Sequence, residues 1–589
     1  MNDIGNEHAL GDKMDLSLSH PSLSLASPIN TSDAGHQSQV TEWPDHFSLD
    51  KRVDYSHQVI GLSSESDPYL LQHYVYNSRD TYPMFRVDFR KVRDNDPIGP
   101  HDNETSMSLP RGSEGTPIQF MMTHEEICQE ALQANERMFS GGTSKLDDMD
   151  LLHRLVPPDL GKRLLIIYAR FVHPRFPVLA RHDLEQMQKA PHEPSALLGI
   201  QSAVYAMAMP FMFFDDELSL TKGYSGVHTE TLWAIAYRSY HRESSLAHLP
   251  LLQLCLLLLH RPPDNFAVAD SPGSWALSCS ALAITESLGL NLDPGKWKLP
   301  RKEIMLRRRL WWLTYTQHIW HALAFGRSIH LNDDNWDVSE LMADDFDGND
   351  SRDSTTPVET TSYVPLILAE CQMSEIAADV LKEFYTLKAS RRPSTLSELL
   401  IRAQPLRKRI ETWRQSLPML SKSVSDLNTE ELEMGAFLRL SHIVVEILIF
   451  RALLRPLIHR SECPAENFVE PLPTIFGNCY ICAKAGTDLV SSLTAKHFAS
   501  FWPSYARYQV CYLSTFILLC FAHSPSRANA EQNRSLLVKW RDTIRTQSRA
   551  WPLARLATIR LDAAFWKGLT SVVHGTGPES PAMRLLKER

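Results

Sequence analysis

From about Leu151 onward, apolar residues recur at three- and four-residue spacing between proline, glycine and acidic interruptions, so the chain reads as helix after helix. Breaks fall at Pro174 and Pro177, Pro262 and Pro263, Pro294 and Pro300, in the acidic stretch after Gly326, and at Pro418. One predicted helix runs from Trp275 to Leu288 with Ser278, Ala281, Leu282, Thr285 and Leu288 on one face, and Gly289 supplies the left-handed cap that ends it. The next starts after Pro300, carries Trp312, Tyr315, Ile319, Ala322 and Leu323 at helical spacing and ends near Gly326, which makes its aromatic face core. Further helices are predicted over 366–387, 395–417, 432–454, 479–493, 505–522, 536–548 and 555–569. Alternating strand patterns are scarce and no internal repeat is present. The expected fold is all-α, a large multi-helical domain behind a disordered amino-terminal tail.

The amino-terminal part has a different texture. Residues 1–58 are rich in Ser, His, Asp and Asn with few periodic apolar positions, so they are expected to be a disordered tail. Residues 59–145 read as an ordered collar and linker: an acidic turn from Gly61 leads to Tyr74, Tyr76, Phe85 and Phe89, the stretch from Asp94 to Gly115 is loop-like, and helical periodicity resumes near Glu125. A helical stretch fills 360–575, and 576–589 reads as a tail.

With 589 residues, 43% of them hydrophobic, the chain is long enough to bury a large core. Its longest apolar runs, Leu249 to Leu259 and Val510 to Ala522, fall short of the roughly 18–20 residues a membrane span needs. The start, Met1-Asn2-Asp3-Ile4, has neither the basic stretch nor the apolar core of a secretory signal, so an intracellular protein is expected. Nine scattered cysteines, first Cys128 and last Cys520, then read as reduced thiols in helix packing. A formal net charge of −9 argues against a main affinity for phosphate backbones.

Candidate chemistry is sparse. Asp333, Asp334 and Asp337 match the Asp-Asp-x-x-Asp pattern by which all-helical terpene cyclases hold magnesium against a diphosphate, yet no second metal motif follows and the run continues as further Asp residues to Asp353; a solvated acidic loop is the preferred reading. His124-Glu125-Glu126-Ile127-Cys128 begins like a zinc-protease motif but places Cys where the second His belongs. Cys479 and Cys482 lack a second pair, Cys463 being too distant, and read as packing residues. His318 and His321 stand one turn apart with no further ligand indicated. Arg307-Arg308-Arg309, with Arg301 and Lys302, could serve nuclear import or phosphate contact, but a charged helix start beside the acidic loop is the plainer account. No catalytic, cofactor-binding or metal residue is assigned.

Three ordered pieces, Phe171-Val172-His173-Pro174-Arg175-Phe176-Pro177-Val178-Leu179, Ala283-Ile284-Thr285-Glu286-Ser287-Leu288-Gly289-Leu290, and Arg307-Arg308-Arg309-Leu310-Trp311-Trp312 leading to Gly326-Arg327, together resemble the middle homology region of fungal zinc-cluster transcription factors. The resemblance spans Leu151 to Asp345, is assigned to residues 150–350, and continues more loosely from Trp413 to Pro418, from Arg451 to Pro456, through Phe501-Trp502-Pro503 and from Trp551-Pro552 to Trp566. It departs at His318-Ile319, where the family usually has Asp-Arg, and at Ser328, where it has Pro. The family's six-cysteine module, beginning with a Cys-x-x-Cys pair, has no counterpart before Cys128, so zinc is expected only in that absent module and no cofactor in this chain. The resemblance implies a nuclear regulator of RNA polymerase II genes that is not an enzyme. It would act through other transcription factors or co-regulators, or as a homodimer, and reach DNA only indirectly, with no membrane association.

Overall fold

The computed structural model describes residues 43–588 apart from 51–55, 61–70, 72–73, 85–86, 94–117, 140–142, 190–196, 222–228, 270–271, 347–362 and 459–470. The expected tail over 1–42, the acidic turn from Gly61, Phe85, the 94–115 linker, Asp353 and Cys463 therefore lie outside the described residues.

Helix dominates, as the periodicity requires. In chain order the long helices are α1 (Glu125–Phe139), α2 (Lys145–Leu155), α3 (Pro158–Phe171), α4 (Leu198–Ala208), α5 (Thr229–Glu243), α6 (Leu249–Leu258), α7 (Pro272–Ser287) and α8 (Arg301–Phe325). They continue as α9 (Val364–Phe384), α10 (Leu396–Ser416), α11 (Thr429–Ile458), α12 (Pro471–Ser492), α13 (Ala506–Ala522), α14 (Arg527–Gln547) and α15 (Arg555–Lys567), followed by the short α16 (Pro581–Lys587). Local chemistry sets several ends. Thr395 and Glu398 form a reciprocal capping box at α10, and Gly326 closes α8 at φ 61° with its N–H returned to the last turn. From Leu310 to Leu323, α8 is buried on every side, which suits a helix at the centre of a large core. That core is continuous from Leu152 to Leu585.

Two expectations are corrected. A four-stranded antiparallel sheet, β1 (Ser56–Val59), β2 (Thr81–Pro83), β3 (Val87–Arg93) and β4 (Ile118–Thr123) in the order β1-β4-β3-β2, precedes the helices. Residues 43–50 and 56–58, assigned to the disordered tail, are thus structured. The cause is non-local: Leu49, Val92 and the alternating Ile118, Phe120 and Met122 are buried against Trp297 and Leu299, far along the chain. At the other end, residues 581–587 of the supposed tail form α16. Ser580 caps it by accepting from the Met583 N–H, and Ala582, Met583 and Leu585 are buried as it packs on α14.

Candidate functional site

The three motifs that carry the family resemblance meet around the start of α8. At the end of α7, Gly289 adopts φ 66° while Leu290 N–H returns to Thr285 O at 3.0 Å. A methyl group on Gly289 would stand 3.1 Å from the Val59 side chain and 3.3 Å from Phe120, so this position needs glycine both for its backbone and for the approach of β1. Arg307, 1% exposed, donates through Nη1 to Leu288 O at 3.1 Å, through Nε to Glu303 at 2.9 Å and through Nη2 to Asp50 at 3.1 Å. Its guanidinium lies against the rings of both Phe120 and Trp297. Arg309 donates to Leu179 O at 3.4 Å, the last residue of the first motif, and to Asp345 O at 3.1 Å. Between them Arg308 pairs with Asp345 at 2.7 Å and Asp293 at 3.4 Å. The triple arginine is therefore a set of buried and half-buried clamps joining the motifs, the amino-terminal segment and the acidic loop, and not an exposed import or phosphate-binding patch.

Electrostatics follow from that burial. Burial and the neighbouring Asp50 carboxylate push the Glu303 carboxyl up to about 7, against the pull of Arg307. His57, beside the Arg307 guanidinium at 3.2 Å, is held neutral: burial and that cation lower it to about 3. Burial also opposes ionisation of Asp293, yet hydrogen bonds from Ser339 and Gly295 and the charge of Arg308 outweigh it and hold the carboxyl below its ordinary range.

Among the described residues the acidic run brings no three carboxylates together to hold a metal ion. Asp333 pairs with Lys382 of α9, Asp337 Oδ1 accepts the Asp293 N–H at 2.8 Å, and Asp334 is exposed. Trp336, within the same run, stands 5.5–5.8 Å from Trp311, Trp312 and Tyr315, so the loop is pinned by an aromatic box. Trp312 also donates to Ser339 O at 2.8 Å. Both Trp312 and Tyr315 are buried, as the helical spacing requires.

His318, at a departure from the family pattern, accepts the His330 N–H at 3.1 Å and meets Ser278 Oγ at 3.2 Å, anchoring the chain after α8. His321 shares its Nδ1 with Gln317 O. His124 pairs with Asp88 at 2.9 Å, and Cys128 donates to Thr123 O at 3.5 Å. Cys479 is buried on α12, with Cys482 half-buried on the same helix. Among the described residues no group of three or more His, Cys, Asp or Glu is placed to hold a metal ion, and no helix is long and apolar enough to cross a membrane.

One feature was not legible in the sequence: a cavity of about 170 Å³ between the family motifs and the carboxy-terminal helices, walled by Phe211, Trp233, His260, Phe501, Trp502 and Trp551. Phe176 of the first motif closes on it edge-to-face with His260, the rings 4.3 Å apart. Its walls come from residues almost 350 positions apart, from Ala206 to Leu553, and only the tryptophan–proline pairs near 502 and 551 hinted that this region belonged with the motifs.

Comparison with known proteins agrees with this junction. Residues 165–415 match the fungal specific transcription factor domain, extending the resemblance past Asp345 through α10. Transcriptional activator protein DAL81 of Saccharomyces cerevisiae is 24% identical over 420 residues, 65% of this chain and 41% of its own length. An uncharacterized transcriptional regulatory protein of Schizosaccharomyces pombe is 26% identical, over 42% of this chain and 35% of its own. Cutinase transcription factor 1 alpha of Fusarium vanettenii is 25% identical, over 50% of this chain and 32% of its own. The chain thus spans less than half the length of these relatives. No solved structure gives a significant match. The Arg307 to Arg309 clamps join the three motifs inside residues 165–415, which match the fungal specific transcription factor domain, and over part of its length the chain is similar to fungal transcription regulators.

Proposed function

We propose that this chain is a nuclear regulator of RNA polymerase II transcription, with no catalytic role, whose helical domain acts on activity through protein partners. The observation that carries the reading is the buried junction in which Arg307 and Arg309 join the ends of the first two family motifs to α8. Its chemistry is structural: the carboxylates that would serve an enzyme, Asp333 and Asp337, are engaged with Lys382 and the Asp293 backbone. Sequence-specific DNA contact needs a basic element presented to a groove, and the arginine run that could have supplied one is turned into the core. Target choice in this reading comes from a DNA-binding partner, and the chain itself holds no structural zinc.

The test is to tether the chain to a reporter promoter through a heterologous DNA-binding module and, separately, to titrate the untethered chain onto promoter and scrambled DNA at physiological salt. A change in reporter output together with no discrimination between the two DNAs is expected. An inert tethered chain, or sequence discrimination at about nanomolar concentration, the range of specific binders, would refute it. A fluorescent fusion excluded from the nucleus would refute the localisation, and stoichiometric zinc by elemental analysis the metal-free reading.

A further inference from the structure

We infer that the pocket between α10, α11 and α12, lined by Trp413, Arg414, Lys422 and Arg439, binds a small organic monocarboxylate with an apolar body. This inference stands apart from the regulatory reading, since binding is measured without any transcription assay.

The pocket forms where three helices meet a tight connection. Its walls come from the last turn of α10, the short helical turn Pro418–Ser421, the loop that follows it, and the facing turns of α11 and α12. Much of the lining is apolar: Trp413, Leu420, Val424, Ile443 and Leu489 surround about 170 Å³ of space. At about 10–15 Å³ per water position in this measure, that is room for roughly a dozen small atoms. The Trp413 indole N–H already donates to Ala369 O at 2.8 Å, so its ring offers a guest contact area and no further hydrogen bond.

The charge on this lining is one-sided. Arg414, Lys422 and Arg439 face the same pocket, and no Asp or Glu lines it. Two of the three cations are paired with carboxylates that are not part of the lining: Arg414 with Glu411 at 2.9 Å and Lys422 with Glu431 at 2.5 Å. Arg439 differs, having no ion-pair partner among the described residues. Its Nη2 donates to the Met419 and Lys422 carbonyls, the latter at 2.6 Å, which sets the guanidinium against the turn that holds Leu420. Its Nη1 donates to no protein atom and, unlike Nε, is not sealed from solvent. The pocket therefore keeps one uncompensated positive charge and one open donor.

Neighbouring groups register that excess. Burial first, then the Arg414 and Arg439 cations, hold the His442 imidazole down to about 4, with Glu411 opposing. Burial and the Arg414 charge likewise hold Arg439 below its ordinary value, with Glu431 opposing. His442 stacks on Trp413 with ring centres 5.8 Å apart, so the cations act at the aromatic wall of the pocket itself. The other carboxylate near His442, Glu446 at 3.9 Å, stands equally close to Arg407.

This combination selects the guest. A single excess cation matches a monoanion, and a guanidinium with a free N–H suits a carboxylate oxygen. A doubly charged phosphate would overcompensate the charge and cover none of the apolar wall, whereas a neutral ring would leave the like charges of Arg414 and Arg439 unrelieved.

The probe is phenylacetate, with phenylacetamide as its uncharged shape match and acetate as the charge without a ring. Calorimetry and ligand-observed NMR on the full chain should show saturable phenylacetate binding between about 10 µM and 1 mM, the range open to a ligand of about ten non-hydrogen atoms. Phenylacetamide should bind at least about tenfold more weakly, because it loses the charge-assisted hydrogen bond. Acetate should be weaker by a similar factor of about ten, because it leaves the apolar wall in water. Arg439→Gln should weaken phenylacetate by about tenfold and leave phenylacetamide nearly unchanged, a split that a purely structural arginine would not give. Ala485→Trp, at an exposed position of the pocket wall, should block both, and it carries the test if the first variant loses its helical circular dichroism. No saturable phenylacetate binding to the folded chain, phenylacetamide or acetate binding as tightly, or phenylacetate binding unaltered in a folded variant would each overturn the inference.

Discussion

At the scale of single residues, buried charge and buried imidazole dominate. Removing Arg307 would leave Glu303, 7% exposed, facing Asp50 without its cation. Arg307→Leu is therefore expected to cost about 3–5 kcal/mol, the range for breaking a buried ion pair from one side. The double variant with Glu303→Leu should recover part of that loss, and denaturant titration of wild type, both singles and the double measures the coupling. His318 gives a prediction in pH. Burial, then the neighbouring His330 and His321, lower its value from 6.5 to about 4. Its folded ring stays neutral where the unfolded ring takes up a proton, so its contribution to stability is present above about 6.5 and is lost as pH falls toward 4. Buried carboxyls such as Glu303 and Glu370, raised to about 7, titrate with the opposite sign, so wild type alone is not informative. The stability difference between wild type and His318→Gln should shrink as pH is lowered across that window in thermal unfolding; a difference independent of pH would show that the ring is not held neutral.

At the scale of elements, two glycines with the same backbone conformation separate strain from packing. Gly289 and Gly326 have φ of 66° and 61°, but only Gly289 has neighbours within reach of an added methyl group. Gly326→Ala is expected to cost about 1 kcal/mol from the left-handed backbone alone. Gly289→Ala should cost clearly more, because β1 must move, and equal melting temperatures for the two variants would count against that account. On α8 itself, Trp312→Ala removes one wall of the aromatic box around Trp336 and should cost about 3–5 kcal/mol. A near-unchanged unfolding midpoint would show that the loop is held by its other contacts.

At the scale of the whole molecule, the family match ends at residue 415 but the core does not. Helix α9 packs against α11, and Arg175 of the first motif donates to Glu433 O at 2.9 Å, so the carboxy-terminal helices complete the interior of the matched region. A fragment of residues 143–415 is expected to lack a cooperative unfolding transition and to bind an apolar dye, whereas residues 43–589 should melt cooperatively. A sharp melt from the fragment would show that the match is a self-sufficient domain.

The helices and the order of the motifs are legible in the amino-acid sequence. Both are written at short range: the 3.6-residue recurrence around Trp312 and Tyr315, the caps at Thr395 and Gly326, and the Leu288-Gly289-Leu290 stop depend on residues within a turn or two. Order near the ends of the chain is not written at short range. Leu49 and β1 have too few apolar neighbours nearby to signal order, and gain it from Trp297, Leu299 and strands far along the chain. Tertiary structure alone decided that the arginine run faces inward, because charge in a sequence reads as exposure until Glu303, Asp50 and the Leu288 and Leu179 carbonyls converge on it. It also decided the aromatic cavity, whose walls between Ala206 and Leu553 share no local pattern and become neighbours only when the helices pack.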